Sequence, residues 1–153
     1  MLRTSKGGLV TRRRIIALES DDRALALSRV PILSSLPSSE LDEIASRSHV
    51  LAFSDGDVIV PEGEEGLGFY LILNGRCRVV RDGVQIAELH TGDFFGEISL
   101  LEGTPRNATV IADGETTCAG MLRQTFKGLL VRNPRLALRI LDEEARRSGL
   151  PLA

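Results

Sequence analysis

From His49 to about Met121 the chain is cut into short apolar runs by glycine turns, a spacing that no helix of ordinary length survives. Val50–Phe53 is followed by Ser54-Asp55-Gly56-Asp57, Val58–Val60 by Pro61-Glu62-Gly63-Glu64-Glu65-Gly66, and Phe69–Leu73 by Asn74-Gly75. Asn-Gly is the strongest short hairpin signal, because a type I′ turn needs positive φ at both central positions. Arg76–Arg81 ends at Asp82-Gly83, a second hairpin signal, and Val84–Leu89 ends at Thr91-Gly92-Asp93. Thr109–Ile111 and Thr116–Met121 are split by Asp113-Gly114. Many short strands at near-regular spacing read as a sandwich, jelly roll or small barrel. With five Phe, one Tyr and no Trp, its core must be largely aliphatic.

Helices flank this β body. Ser20-Asp21-Asp22 reads as a helix start, with acids in the first turn, and Pro31 stops a helix near Arg29. A second helix is expected from Ser38 or Ser39 to Ser46. Leu41, Ile44 and Ala45 form its apolar stripe, and Asp42 stands three residues after Ser39 as in a capping box. Beyond the strands, Phe126, Leu129 and Leu130 share one helical face. After Pro134, Leu136, Ala137, Ile140, Leu141 and Ala145 share another, with Asp142/Arg146 and Glu143/Arg147 as (i, i+4) pairs on the solvent side. The fold class expected is mainly β with flanking helices: an antiparallel jelly roll between N-terminal and C-terminal helices.

Charge and composition narrow the function. Five of the 19 basic residues (Arg3, Lys6, Arg12, Arg13, Arg14) fall in the first 14 positions with no acid among them, so the remainder carries seven more acids than bases. That balance makes the folded part a poor general nucleic-acid binder, and no DNA binding by this chain alone is expected. Residues 1–19 read as a basic, flexible tail, and residues 20–150 as one domain. No apolar run approaches the roughly 18 residues of a membrane span and no secretory signal follows the basic start, so a cytoplasmic location is expected. Cys77 and Cys118 form no CxxC and read as buried thiols, while His49 and His90 lack metal-ligand spacing.

Chemistry concentrates in residues 92–110, where a helical turn over Glu97–Leu101 interrupts the strands. Gly96 permits close backbone approach. Behind it the N–H groups of Ile98, Ser99 and Leu100 would emerge from a helix N-terminus, a ready anion site. Arg106, after the Gly103-Thr104-Pro105 turn, can return toward that end and grip a phosphate through two parallel hydrogen bonds. Glu97 would repel a bare phosphate. A ligand with a phosphate beside hydroxyl donors reconciles the two, and a ribose phosphate has that shape.

The stretch Phe95-Gly96-Glu97-Ile98-Ser99-Leu100, followed by Pro105-Arg106-Asn107-Ala108, resembles the phosphate-binding cassette of cyclic nucleotide-binding domains. These are the sensor domains of the catabolite activator protein, of cyclic-AMP-dependent protein kinase regulatory subunits and of cyclic-nucleotide-gated channels. The resemblance covers about residues 25–147. It implies that Glu97 accepts a hydrogen bond from the ribose 2′-hydroxyl, that Arg106 neutralises the cyclic phosphate, and that backbone N–H groups around Ile98, Ser99 and Ala108 hold its exocyclic oxygens. Phe95, Gly96 and Asn107 complete the implied ligand-binding set. Family members usually carry Ala, Ser or Thr where this chain has Asn107. An amide both donates and accepts, so it does not separate cyclic AMP from cyclic GMP. General bacterial usage in the family favours cyclic AMP and leaves cyclic GMP open.

The last helix would cover the base, with Leu138, Arg139 and Asp142 as candidate lid residues and Arg139 as a cation–π partner for adenine. Its apolar residues equally suit plain core or a homodimer seam. Ligand is expected to draw residues 97–101 and Arg106 together and re-seat the helix over residues 134–147. No catalytic residues, resident cofactor or metal are expected. The rivals are a ligand-free structural module of the same fold and, further off, a cupin-type metalloenzyme, which would need several clustered His and acid ligands. After the closing helix only Ser148–Ala153 remain, too few for a helix-turn-helix. Output is therefore expected through an unidentified effector protein or a fused output domain.

Overall fold

The structure, a computed structural model, describes residues 2–4, 10–12, 14–16, 20–64, 68–96 and 106–146. Strands β1 (Leu2–Thr4), β2 (Val10–Arg12) and β3 (Arg14–Ile16) precede helix α1 (Ser20–Ser28), a 3₁₀ turn (Pro31–Leu33) and α2 (Ser38–Arg47). The β body follows as β4 (His49–Phe53), β5 (Val58–Val60), β6 (Gly68–Asn74), β7 (Arg76–Arg81), β8 (Val84–His90), β9 (Phe94–Phe95), β10 (Thr109–Ala112) and β11 (Thr116–Leu122). Helices α3 (Arg123–Arg132) and α4 (Pro134–Arg146) close the chain's described part.

Two antiparallel sheets face one another, one ordered β5-β10-β7-β8 and the other β3-β4-β11-β6-β9, as a jelly roll requires. The helices lie on the outer face of the second sheet, which is thereby buried on both sides. Alternation along β6 divides its side chains between two cores: Phe69 and Leu71 face the helices, Tyr70 and Ile72 the barrel interior. Burial on both faces explains why β6 reads as a continuous apolar run. On the helical side Phe126 of α3 stacks on Phe69 at 4.1 Å between ring centroids, beside Leu27, Ile44, Leu136 and Ile140. Phe126 is fully buried, and truncating a side chain so placed costs about 3–5 kcal/mol.

Three expectations are corrected. Asn74-Gly75 is not a hairpin turn. β6 pairs with β11 and β9, whereas β7 pairs with β10 and β8, so the chain changes sheets at Gly75. A Cβ on Gly75 would lie 2.7 Å from the Glu115 carbonyl, so the glycine is demanded by close approach at a barrel corner. The true two-residue hairpin is Asp82-Gly83, where Arg81 faces Val84 and both turn residues have positive φ, 52° and 79°. Second, the segment read as a tail contains three strands. The β-branched Ile15-Ile16 pair continues the edge of β4 in register, with Ile15 opposite Leu51. Third, α2 starts at Ser38 behind Pro37 with no side-chain cap, so Ser39 does not form the capping box.

Cys77 and Cys118 are both fully buried in the barrel interior. Burial, then the Asp113 carboxylate, pushes the Cys77 thiol from 9.0 up to about 12. Burial, then the neighbouring Cys77, raises Cys118 well above 9.0. Below pH 9.0 both are thiols in the folded and unfolded chains alike. Above it the unfolded chain releases protons that the folded chain retains, so stability falls as pH climbs from 9.0 toward about 12, by up to about 1.4 kcal/mol per pH unit per thiol. Urea midpoints measured at pH 8 and pH 10.5 should show this loss, and Cys77→Ala should reduce its steepness. An identical slope in the variant would assign the alkaline loss to other groups.

Candidate functional site

The barrel has two unlike ends. At one, the corners Ser54–Asp57, Asn74–Gly75 and Asp113–Glu115 are laced together: the Gly56 N–H donates to Ala112 O at 2.8 Å, and the Gly114 N–H to Asp55 Oδ1 at 2.7 Å. At the other meet Gly63 and Glu64 after β5, Gly68 at the start of β6, Gly96 after β9, and Arg106–Ala108 before β10. Arg106 is held there by its backbone, whose N–H donates to Glu64 O and whose carbonyl accepts from the Gly63 N–H, both at 2.8 Å.

Its side chain is 3 % exposed. The guanidinium donates through Nη1 to Gly96 O at 3.1 Å and through Nη2 to Gly68 O at 2.7 Å. Gly96 has φ 98°, and a Cβ added there would stand 2.7 Å from Gly68 O and 2.8 Å from Arg106 Nη1. Glycine is thus required twice, by backbone conformation and by the passage of the guanidinium. The two carbonyls fix the orientation of the fork, and the charge it brings to a nearly dry place favours an anion.

Around it the expected residues take different roles. Phe95 is fully buried and stacks on Tyr70 at 5.1 Å, anchoring the strand that ends at Gly96. Ala108 points its methyl into the barrel core. Asn107 presents its carbonyl to Arg81 Nε, which donates to it at 2.8 Å. Asn107 Oδ1 is buried without a hydrogen-bond partner among the described residues. An acceptor so placed costs about 1–3 kcal/mol until a donor meets it. Glu97, Ile98 and Ser99 lie outside the described residues.

The family model for the cyclic nucleotide-binding domain matches residues 50–133, which span the barrel and α3. The chain belongs to the cyclic nucleotide-binding domain family.

Among curated relatives of this cyclic nucleotide-binding domain, a cAMP-dependent protein kinase regulatory subunit from Hypocrea atroviridis is 39% identical over 104 residues, 68% of this chain and 22% of the relative. The chain thus spans about a quarter of the length of such relatives. Among solved structures, the regulatory domain of Toxoplasma gondii PKA with cAMP is 29% identical with a TM-score of 0.73, covering 84% of this chain and 50% of that one. The regulatory subunit of a cAMP-independent protein kinase A from Trypanosoma cruzi bound to guanosine is also 29% identical, with a TM-score of 0.70, covering 78% and 44%.

In this cyclic nucleotide-binding domain the lid candidates divide. Arg139 donates through Nη2 to Pro31 O at 2.5 Å and through Nη1 to Ser35 Oγ at 2.6 Å, so α4 is tied to the 3₁₀ turn. Leu138 and Asp142 are exposed, while Leu136 and Ile140 are core. Sequence reasoning passed over Gly68 and Glu64, which act through backbone carbonyls and carry no side-chain signal, and over Arg81, one arginine among many. Among the described residues no three His, Cys, Asp or Glu side chains converge as a metal site would need.

Gly83 provides a control for Gly96. It too has positive φ, 79°, but nothing stands within 4 Å of its would-be Cβ. Gly83→Ala should cost only left-handed strain, ~1–2 kcal/mol. Gly96→Ala should cost more, because Gly68 O and the Arg106 guanidinium must also move. Urea denaturation of the two variants compares them directly, and equal losses would show that the close approach carries no energy.

Proposed function

We propose that this domain binds a cyclic nucleotide, cyclic AMP foremost, and works as a regulatory sensor by binding rather than by catalysis. The observation that carries the reading is the nearly buried Arg106 fork, aimed by the carbonyls of Gly96 and Gly68. A planar fork held in this way suits the exocyclic oxygens of a phosphate diester, and the adjoining Asn107 acceptor offers a polar contact beside it. Cyclic-AMP-dependent kinase regulatory subunits among the relatives, and the cAMP complex among the structural neighbours, support the choice of cyclic AMP. Cyclic GMP is the second reading, favoured by that same Asn107 acceptor, which a guanine amino group could satisfy. In this reading Glu97 takes the ribose 2′-hydroxyl, and no resident cofactor or metal is needed. The signal passes in the cytoplasm to an effector protein or a fused output domain.

Calorimetric titration with cyclic AMP and cyclic GMP, repeated on Arg106→Ala, tests the reading. A charged hydrogen bond is worth ~1.5–3 kcal/mol, so the substitution should weaken binding at least tenfold. Ligand at 100 times its Kd should add ~2.7 kcal/mol to the unfolding free energy. Neither heat nor a melting shift with either nucleotide at millimolar concentration would overturn it.

The output we propose is a population shift of α4. Arg139 fastens this helix to Pro31 and Ser35, so re-seating α4 over the base exchanges those two hydrogen bonds for contacts with ligand. Hydrogen exchange in residues 134–146 should change when cyclic AMP is added. Unchanged protection in a chain that demonstrably binds nucleotide would remove α4 as the moving part.

A further inference from the structure

The limb that carries Arg106 is fastened from the side as well as from below. The β7–β10 ladder ends at the pair Thr109–Val80, one residue short of the site on each strand. Beyond that point Arg81, the last residue of β7, continues the grip with its side chain: its Nε donates to the carbonyl of Asn107, two residues past the last ladder pair. Arg81 stands directly before the tight Asp82-Gly83 turn, both of whose residues have positive φ. That turn is in turn fixed by Glu62, whose Oε1 accepts from the Asp82 N–H at 3.2 Å. Glu62 also reaches the limb from its own backbone, its N–H donating to Thr109 Oγ1 at 3.0 Å. With the paired Gly63–Arg106 and Arg106–Glu64 bonds, three chain segments are laced into one unit: the loop after β5, the β7–β8 hairpin tip and residues 106–109.

A network so connected has a mechanical consequence. The Asn107 carbonyl belongs to the peptide that joins Asn107 to Ala108, so holding it anchors the chain one residue after Arg106 and limits how far the backbone that carries the guanidinium can shift. Arg106 must thread between two carbonyls past a glycine with no room for a Cβ, so a small rotation misplaces the fork. The bond from Arg81 is charge-assisted and partly shielded from water, which places it among the stronger hydrogen bonds available to a loop.

We propose that Arg81 is a positioning residue for ligand binding: it holds the Asn107 carbonyl and thereby fixes the Arg106 fork in its phosphate-gripping geometry. The inference rests on the proposed nucleotide site and names a residue that acts on it without being part of the cassette.

A double-mutant cycle tests it. Arg81→Met keeps the apolar stem and removes the donor; Arg81→Lys keeps a donor and the charge. Cyclic AMP affinity is measured by calorimetry for both variants, in the native background and in Arg106→Lys, together with each variant's melting midpoint. Arg81→Met should weaken binding about tenfold in the native background and less than twofold in Arg106→Lys, whose ammonium has no planar fork to aim. Arg81→Lys should fall between Arg81→Met and the native chain. Equal losses in both backgrounds, or native affinity in Arg81→Met, would overturn the proposal while the nucleotide-binding reading stands. If the native chain binds no nucleotide, the reading falls and takes the inference with it. Should Arg81→Met fail to fold, the Arg81→Lys arm decides alone: a loss confined to the native background supports the role, and an equal loss in both refutes it.

Discussion

Everything at the site depends on one contact that only the absence of a side chain permits. Gly96 lies with positive φ where a Cβ would overlap both the Gly68 carbonyl and the Arg106 guanidinium. Because it has none, β9 can end against β6 while an arginine passes between them and donates to the carbonyls on either side. Burying an arginine is costly unless its donors are met and its charge has a use. Here the barrel supplies the Gly96 and Gly68 carbonyls, which meet donors of the fork and orient it. The two glycines and the arginine come from three separate strands or loops, so the site exists only once the barrel has closed.

The jelly roll explains why those pieces meet. Each passage between sheets needs a corner, and the corners collect at the two barrel ends. Those at Gly56, Gly75 and Gly114 are tied together by the Gly56–Ala112, Asp113–Arg76 and Gly114–Asp55 hydrogen bonds. At the other end backbone groups of Gly63, Glu64, Gly68 and Gly96 meet Arg106. The helices then pack on the outside of the β4-β11-β6 face, through Phe69 and Phe126.

What the sequence disclosed follows the same physics. Strand positions were legible because glycine turns mark where strands stop, and the cassette was legible because Gly96 and Arg106 each have a chemical requirement that few residue types meet. Pairing partners were not legible. Asn74-Gly75 and Asp82-Gly83 look alike as dipeptides, yet one is a corner and the other a hairpin. The difference is set by Glu115 and Thr116 crowding Gly75, residues some forty positions away. Strand β3 escaped notice for a similar reason, since three residues add to a sheet only when an edge such as β4 is waiting for them, whereas β1 and β2 pair with each other.

The closing helix marks the limit of pattern reading. Residues 134–146 carry apolar side chains on more than one face, and the sequence cannot rank those faces. The fold does so by its neighbours: Leu136 and Ile140 fill the space beside α3 and the 3₁₀ turn, so Leu138 and Leu141 turn outward at 62 % and 60 % exposure. Arg139, read from sequence as a partner for a base, donates in this structure to Pro31 O and Ser35 Oγ. The 3₁₀ turn also lies beside the loop leading to β9, where the Pro31 ring would stand 3.0 Å from a Cβ added at Gly92. The closing helix is thus tied to the 3₁₀ turn, and that turn lies next to the loop that leads into β9. Whatever α4 does on ligand binding, the energy available to move it is bounded by how differently the ligand binds the two arrangements.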